Sequence, residues 1–193
     1  MYMKTIKHII KIAYIKFFYK RYVRDISSIQ LDIEANISFR SPQHLRMSQE
    51  KKFKHLMVYY TDFAYLFFWR IDKFNIVNRI LFCNNSFSYF KIFKNIDLKG
   101  GVIPCHAFAT IINAKQIGEN FTFRNTTTIG NKGNDNSLTP TLGSNVELGA
   151  NVVIIGDIKI GDNVTIGAGA VVTKDIASNS IAIGNPARVI KKK

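Results

Sequence analysis

The stretch LGSNVELGANVVIIGDIKIGDNVTIGAGAVV, residues 142–172, decides the fold. Aliphatic side chains recur in it every six positions, at Leu142, Leu148, Ile154, Ile160, Ile166 and Val172. A second apolar row runs four residues behind, at Val146, Val152, Ile158, Val164, Ala170 and Ile176. Small residues fill the intervals, among them Gly143, Gly149, Ala150, Gly156, Gly161, Gly167 and Ala168. Neither the helical period of 3.6 nor the strand period of 2 produces this spacing. A chain wound into a triangular parallel β-helix does, with three short strands in each coil of about 18 residues.

Working outward, Ile111, Ile117, Phe123 and Ile129 are also six apart, so the repeat starts near Asp97. Counted from there to Val172 it makes roughly four coils. Between Ile129 and Leu142 the beat slips by one residue, across a segment rich in Gly, Asn, Asp, Ser and Pro. Such turn formers predict a loop thrown out from the coil, and functional residues often sit on loops held by a rigid scaffold. After Val172 the beat ends, and Gly184-Asn185-Pro186-Ala187-Arg188 leads into a basic tail. The domain organisation expected is a helical region over 1–96 and a β-helical domain over 97–193.

The region before residue 97 has helical texture. Ile6, Ile9, Ile10, Ala13, Tyr14, Phe17 and Phe18 form one i, i+3, i+4 stripe, with Lys4, Lys7, Lys11 and Lys20 around it. A basic amphipathic helix of this kind either packs on its own domain or a neighbouring subunit, or lies on an anionic membrane. Residues 29–40 alternate apolar and polar, Ile29 to Arg40, which is strand period without an obvious partner strand nearby and predicts either an extended arm or a helix with a misleading pattern. Ser41-Pro42 is a helix-start signal. From Phe53 to Ile71 the apolar residues again share one helical face, and a weaker helical stretch covers Asn75 to Phe93.

Composition narrows the function. An apolar fraction of 47% fits a packed globular chain. Two cysteines, Cys83 and Cys105, without paired spacing exclude a disulfide framework or CxxC zinc site. Lys11 and Lys16 interrupt any secretory signal, and no uncharged apolar run is long enough to span a bilayer, so the expected location is cytoplasmic. The net charge of +14 is concentrated at the two ends and accompanies no nucleic-acid-binding motif. It suits solvated ends, a membrane surface or an anionic substrate.

Residues 97–190 resemble the hexapeptide-repeat acyltransferases, in particular the serine acetyltransferase-like branch that includes O-acetyltransferases of capsular and other surface polysaccharides. The segments carrying the resemblance are Gly100–His106, Thr110–Ala114, Thr128–Gly133, Ile166–Val172 and Gly184–Arg188, with Phe63–Arg70 in the helical part. It implies a left-handed parallel β-helix; ordinary parallel crossovers are right-handed, so the hand comes from the resemblance alone. It further implies a homotrimer with active sites in clefts, acetyl-CoA as co-substrate, and no metal. His106, the one histidine of the repeat region, stands where the family has its general base. A hydroxyl needs such a base to attack a thioester at neutral pH. Cys105 beside it points to the opposite face of an extended segment, which favours direct transfer over an acyl-enzyme. Ala150 and Ala168 match small positions that leave room for the pantetheine arm. Asn131 and Lys132 lie on the loop side, and Lys174 and Arg188 can meet CoA phosphates, each also readable as ordinary surface.

Three departures bear on the acceptor. Serine acetyltransferases have an acidic residue where this chain has Lys91, an aspartate where it has Cys105, and a histidine where it has Thr139. These favour a sugar hydroxyl over free serine as acceptor, with serine acetylation as the alternative. A zinc-dependent carbonic anhydrase on the same fold is disfavoured because His8, His44 and His55 lie outside the coil. An acyltransferase using acyl carrier protein fits the Gly184–Arg188 ending less well, and a non-enzymatic scaffold of a polysaccharide-synthesis complex would leave His106 incidental.

Overall fold

The computed structural model describes residues 2–83, 90–133 and 135–191, the side chains of residues 2–7, 83 and 191 excepted. The surface placement of Lys4, Ile6 and Lys7, the Cys83 side chain, residues 84–89 of the expected third helical stretch, and Lys192 and Lys193 lie outside the described residues. Two compact units are present, Met1–Phe87 and Ser88–Lys193.

The first unit is helical: α1 (Tyr2–Phe18), α2 (Ser27–Arg40), α3 (Gln49–Tyr59), α4 (Thr61–Arg70) and the single turn α5 (Ile76–Asn78). Of the two readings of residues 29–40, the helix holds: they belong to α2. Its buried residues are Ile29, Asp32, Ile33, Asn36 and Ile37, an i, i+3, i+4, i+7, i+8 stripe. The alternation misled because two polar residues share the buried face. Both are satisfied there: Arg70 grips Asp32 with two hydrogen bonds of 2.7 and 3.1 Å, and Asn36 donates to the Asp32 carbonyl. The apolar face from Phe53 to Ile71 belongs to two helices, since extended backbone at Tyr60 separates α3 from α4. Ser41-Pro42 opens only a short 3₁₀ turn, Pro42–His44, and α3 starts later, at Gln49.

The second unit is a parallel β-helix with three faces. Face A stacks β1 (Phe90–Ile92), β4 (Thr110–Ile112), β7 (Thr128–Gly130), β10 (Val153–Ile155) and β13 (Val171–Val172). Face B stacks β2 (Asp97–Leu98), β5 (Gln116–Ile117), β8 (Thr141–Leu142) and β11 (Lys159–Ile160). Face C stacks β3 (Ile103–Cys105), β6 (Thr122–Arg124), β9 (Glu147–Leu148), β12 (Thr165–Ile166) and β14 (Ser180–Ile183), and ends on the antiparallel β15 (Arg188–Lys191). With β1 as the first rung there are about five coils rather than four, and the winding begins upstream of residue 97. The six anchors from Leu142 to Val172 point inward and are at most 3% exposed, and the second row from Val146 to Ile176 is buried behind them. The repeat thus follows from burying two side chains per face on every pass.

The third edge, between faces B and C, is closed by a ladder. Asn120, Asn145, Asn163 and Asn179 stack in successive coils with φ of 56–58°, each side-chain amide donating to the next side-chain carbonyl at 2.9–3.0 Å. Asparagine tolerates this left-handed backbone and supplies the hydrogen bonds that hold the coils in register.

Candidate active site

Inward residues on consecutive faces should be six apart, and most are. Three spacings depart from this between Pro104 and Leu142. Pro104 pairs with Phe123, and Ile112 with Ile129, so eight residues separate the inward positions of β3 and β4 where six separate those of β6 and β7. The corner at His106 therefore carries two extra residues. From Ile112 to Ile117 the spacing is five, and from Ile129 to Leu142 it is thirteen, a seven-residue insertion that forms the loop at 131–140. The expected anchor Ile111 is consequently off the inner file: it is 47% exposed on face A, while Ile112 is buried.

The two insertions protrude on opposite borders of face A. On one border, His106 is exposed with φ of 51°, and Ala109 follows with φ of 48°. Left-handed backbone at two non-glycine residues costs roughly 1–3 kcal/mol each and persists only where the surroundings hold it. Here the Phe108 N–H donates to the His106 carbonyl at 2.6 Å, and the Phe108 carbonyl accepts from the Thr126 N–H and the Thr110 hydroxyl. Cys105 is buried, so the adjacent cysteine and histidine do not share a surface.

Above His106 along the same edge come Asn125, Ala150 and Ala168. Their register is fixed by Asn151 N–H donating to the Asn125 carbonyl and Gly169 N–H donating to the Ala150 carbonyl. The edge stays low because its side chains are small and its coils tightly apposed: a Cβ on Gly149 would fall 2.5 Å from the Ala168 nitrogen. At its far end, Arg188 pairs across from Ile183 and is exposed. Five strand-to-strand steps of about 4.8 Å each, from β3 to β15, separate the ends, or roughly 24 Å.

The opposite border of face A carries the other expected residues. Asn131 and the exposed Lys132 open the loop, and Lys174 lies two coils further along. Lys174 shares a pocket of about 230 Å³ with Pro186, Ala187 and Val189. So His106, Ala150, Ala168 and Arg188 occupy one edge of the β-helix, and Asn131, Lys132 and Lys174 the next, with Ile111, Thr128, Val153 and Val171 on the face between.

The loop has its own internal order. Ser137 donates from its hydroxyl and backbone N–H to Asp135, which holds that carboxyl below the usual range. Thr139, where the family places a histidine, is buried and faces no solvent. Lys91 lies with its ammonium 4.4 Å from the Phe93 ring centre. Two residues escaped the sequence reading. Asn125 sits next to the histidine corner, and Asn113, buried at the base of the loop, has an Oδ1 without a hydrogen bond among the described residues. A buried polar atom without a partner is rare in a core.

An exposed imidazole, a low edge of small residues and exposed cations thus lie along one parallel β-helix wound on a six-residue beat. Residues 139–174 match the family described as bacterial transferase hexapeptide (six repeats). The chain is similar to the serine acetyltransferase-like branch, and its coil is left-handed as in the structures of that branch. It is 49% identical over 85 residues to the Escherichia coli (strain K12) protein assigned as the colanic acid biosynthesis acetyltransferase WcaB, covering 44% of this chain and 52% of that one. It is 41% identical over 92 residues to serine acetyltransferase 1 of Arabidopsis thaliana, covering 47% of this chain and 29% of that one. The structure of soybean serine acetyltransferase aligns with a TM-score of 0.63 at 28% identity, over 85% of this chain and 68% of that one. The chain thus spans about half the length of the bacterial relatives it matches, and less of the plant ones.

Proposed function

We propose that this protein is an acetyl-CoA-dependent O-acetyltransferase, working as a homotrimer on the hydroxyl of a sugar in surface-polysaccharide synthesis. The observation that carries the reading is the shared edge: an exposed histidine on an inserted corner, followed by Ala150 and Ala168, which leave a path for a thin chain, and ending at an exposed arginine. A co-substrate with its reactive thioester at one end and phosphates at the other suits such a track. In a threefold assembly the basic edge with Asn131, Lys132 and Lys174 can face the His106 edge of a neighbour.

In this reading the His106 imidazole accepts the acceptor's hydroxyl proton as the oxygen bonds to the acetyl carbon. The C–S bond then breaks, and the imidazolium returns the proton to the departing thiolate. Direct transfer agrees with a buried Cys105. The bacterial relative's name supports a sugar acceptor. The plant relatives and the soybean structure support serine as a second reading, against which stand Lys91, Cys105 and a buried Thr139 at the positions where that branch has acidic residues and a histidine.

The test is CoA release with a panel of serine, nucleotide sugars and oligosaccharides, with products read by mass spectrometry for an added acetyl group. His106→Asn, which keeps a residue suited to left-handed backbone, should lower kcat/KM by about 10²–10⁴. Acetylation of serine alone would shift the assignment to the second reading. Equal, slow release by wild type and His106→Asn on every acceptor would leave the scaffold role.

A further inference from the structure

The helix α1 has two apolar faces, and only one is used. Ile15 and Phe18 are 1% and 5% exposed, and Phe18 packs edge-on against Phe67 and Phe68 of α4. On the other side Ile9, Ile10, Tyr14 and Phe17 are 63%, 41%, 38% and 58% exposed. Most of the apolar stripe that the sequence offers for packing is therefore open to solvent. Beside and beyond it stand Lys16, Lys20, Arg21 and Arg24, all exposed. Residues 1–24 contain seven Lys and Arg and no Asp or Glu.

We infer that this outer face of α1 docks the protein on an anionic lipid bilayer, the helix lying in the interface with Ile9, Ile10, Tyr14 and Phe17 inserted and the four cations meeting phosphate headgroups. Charge complementarity selects this occupant. Pairing the face with the same face of a second copy would bring two all-basic segments together without a counter-charge, whereas an anionic surface supplies one. Insertion parallel to the bilayer is the mode left open, since no helix among the described residues is long and apolar enough to cross a membrane. A large exposed apolar face on a cationic helix has the composition of an interfacial anchor. The inference does not depend on the acetyl-transfer reading.

The test uses the full chain and sedimentation with two kinds of vesicle, pure phosphatidylcholine and phosphatidylcholine with about 30% phosphatidylglycerol. The expected result is at least ~10-fold stronger binding to the anionic vesicles, lost at high ionic strength. Phe17→Glu should abolish the binding, and the double variant Lys20→Gln/Arg21→Gln should weaken it several-fold, with circular dichroism melts unchanged because these side chains are exposed. Should Phe17→Glu perturb folding, the double variant decides alone. Absence of binding, equal binding to both vesicles, or full binding by a folded variant would overturn the inference. So would a fall in solution mass on Phe17→Glu with vesicle binding intact, which would assign the face to another copy of the chain.

Discussion

Gly149→Ala tests whether the low edge of the β-helix is set by contact between coils. The added Cβ would lie 2.5 Å from the Ala168 nitrogen and 2.8 Å from its Cα, and ordinary contact begins near 3.4 Å. Both neighbouring atoms are backbone, so no side chain can swing away, and the coils must part by about 0.9 Å. The hydrogen bonds that hold this corner, Gly149 N–H to the Ile166 carbonyl and Gly169 N–H to the Ala150 carbonyl, are both 2.8 Å. Opening by that amount takes them past the range of a good bond. Overpacking of this kind costs about 1–3 kcal/mol, and weakening two hydrogen bonds adds about 1 kcal/mol. A loss of roughly 2–4 kcal/mol is thus expected in urea unfolding. Because the displaced residues are Ala150 and Ala168, KM for acetyl-CoA should rise about 10-fold or more, in line with the sensitivity of bound geometry to shifts near 1 Å. Gly133→Ala is the control: nothing lies within 4 Å of its Cβ, and only its φ of 64° penalises the change, by about 1 kcal/mol. If Gly149→Ala is no less stable than Gly133→Ala and binds acetyl-CoA unchanged, close apposition of the coils is not what shapes the edge.

The other expected outcomes concern what holds each unit. Asn145→Gly removes two exposed ladder hydrogen bonds but keeps the left-handed backbone, and should cost about 1 kcal/mol; Asn145→Ala adds the backbone penalty and should cost about 2–3 kcal/mol in the same urea titration. Asp32→Ala leaves the buried Arg70 guanidinium without its carboxylate and should destabilise the helical unit by about 3–5 kcal/mol, read as the shift of its unfolding midpoint. Burial, and then the neighbouring His44, lower the pKa of His55, whose ring nitrogen shares a 3.1 Å hydrogen bond with Ser41, itself bonded to Tyr60. As pH falls below about 6.5 the unfolded chain takes up this proton before the folded one does. Stability should therefore decline with acidification from about pH 7 through the lowered value, and level off beneath it. His55→Gln should flatten that decline in pH-dependent melts.

How much of this was legible in the sequence depends on whether neighbouring coils repeat one environment. From Leu142 to Val172 every inward position meets the same packing on each pass, so the six-residue beat alone gave the β-helix and its buried rows. In the helical unit the pattern failed where burial and polarity parted company: Asp32 and Asn36 are buried because Arg70 and a backbone carbonyl satisfy them, partners a one-dimensional pattern does not contain. The stripe of α1 left a choice that its pattern does not make, between packing and a membrane surface, since apolar residues at Ile9, Ile10 and Phe17 mark a face that the fold leaves open. The candidate site shows the limit most plainly. Pro104 and Ile117 are both inward and thirteen residues apart, two beats plus one. That single surplus residue is the sum of two extra at the His106 corner and one missing after Ile112, and a count from flank to flank registers only the net. Reading Ile111 as an anchor absorbed the difference and hid the inserted corner on which the histidine stands. The family resemblance nominated His106; what lifts it out of the file is the backbone pairing of Cys105 with Arg124 and of Ile111 with Thr128, and pairing across coils becomes visible only in three dimensions.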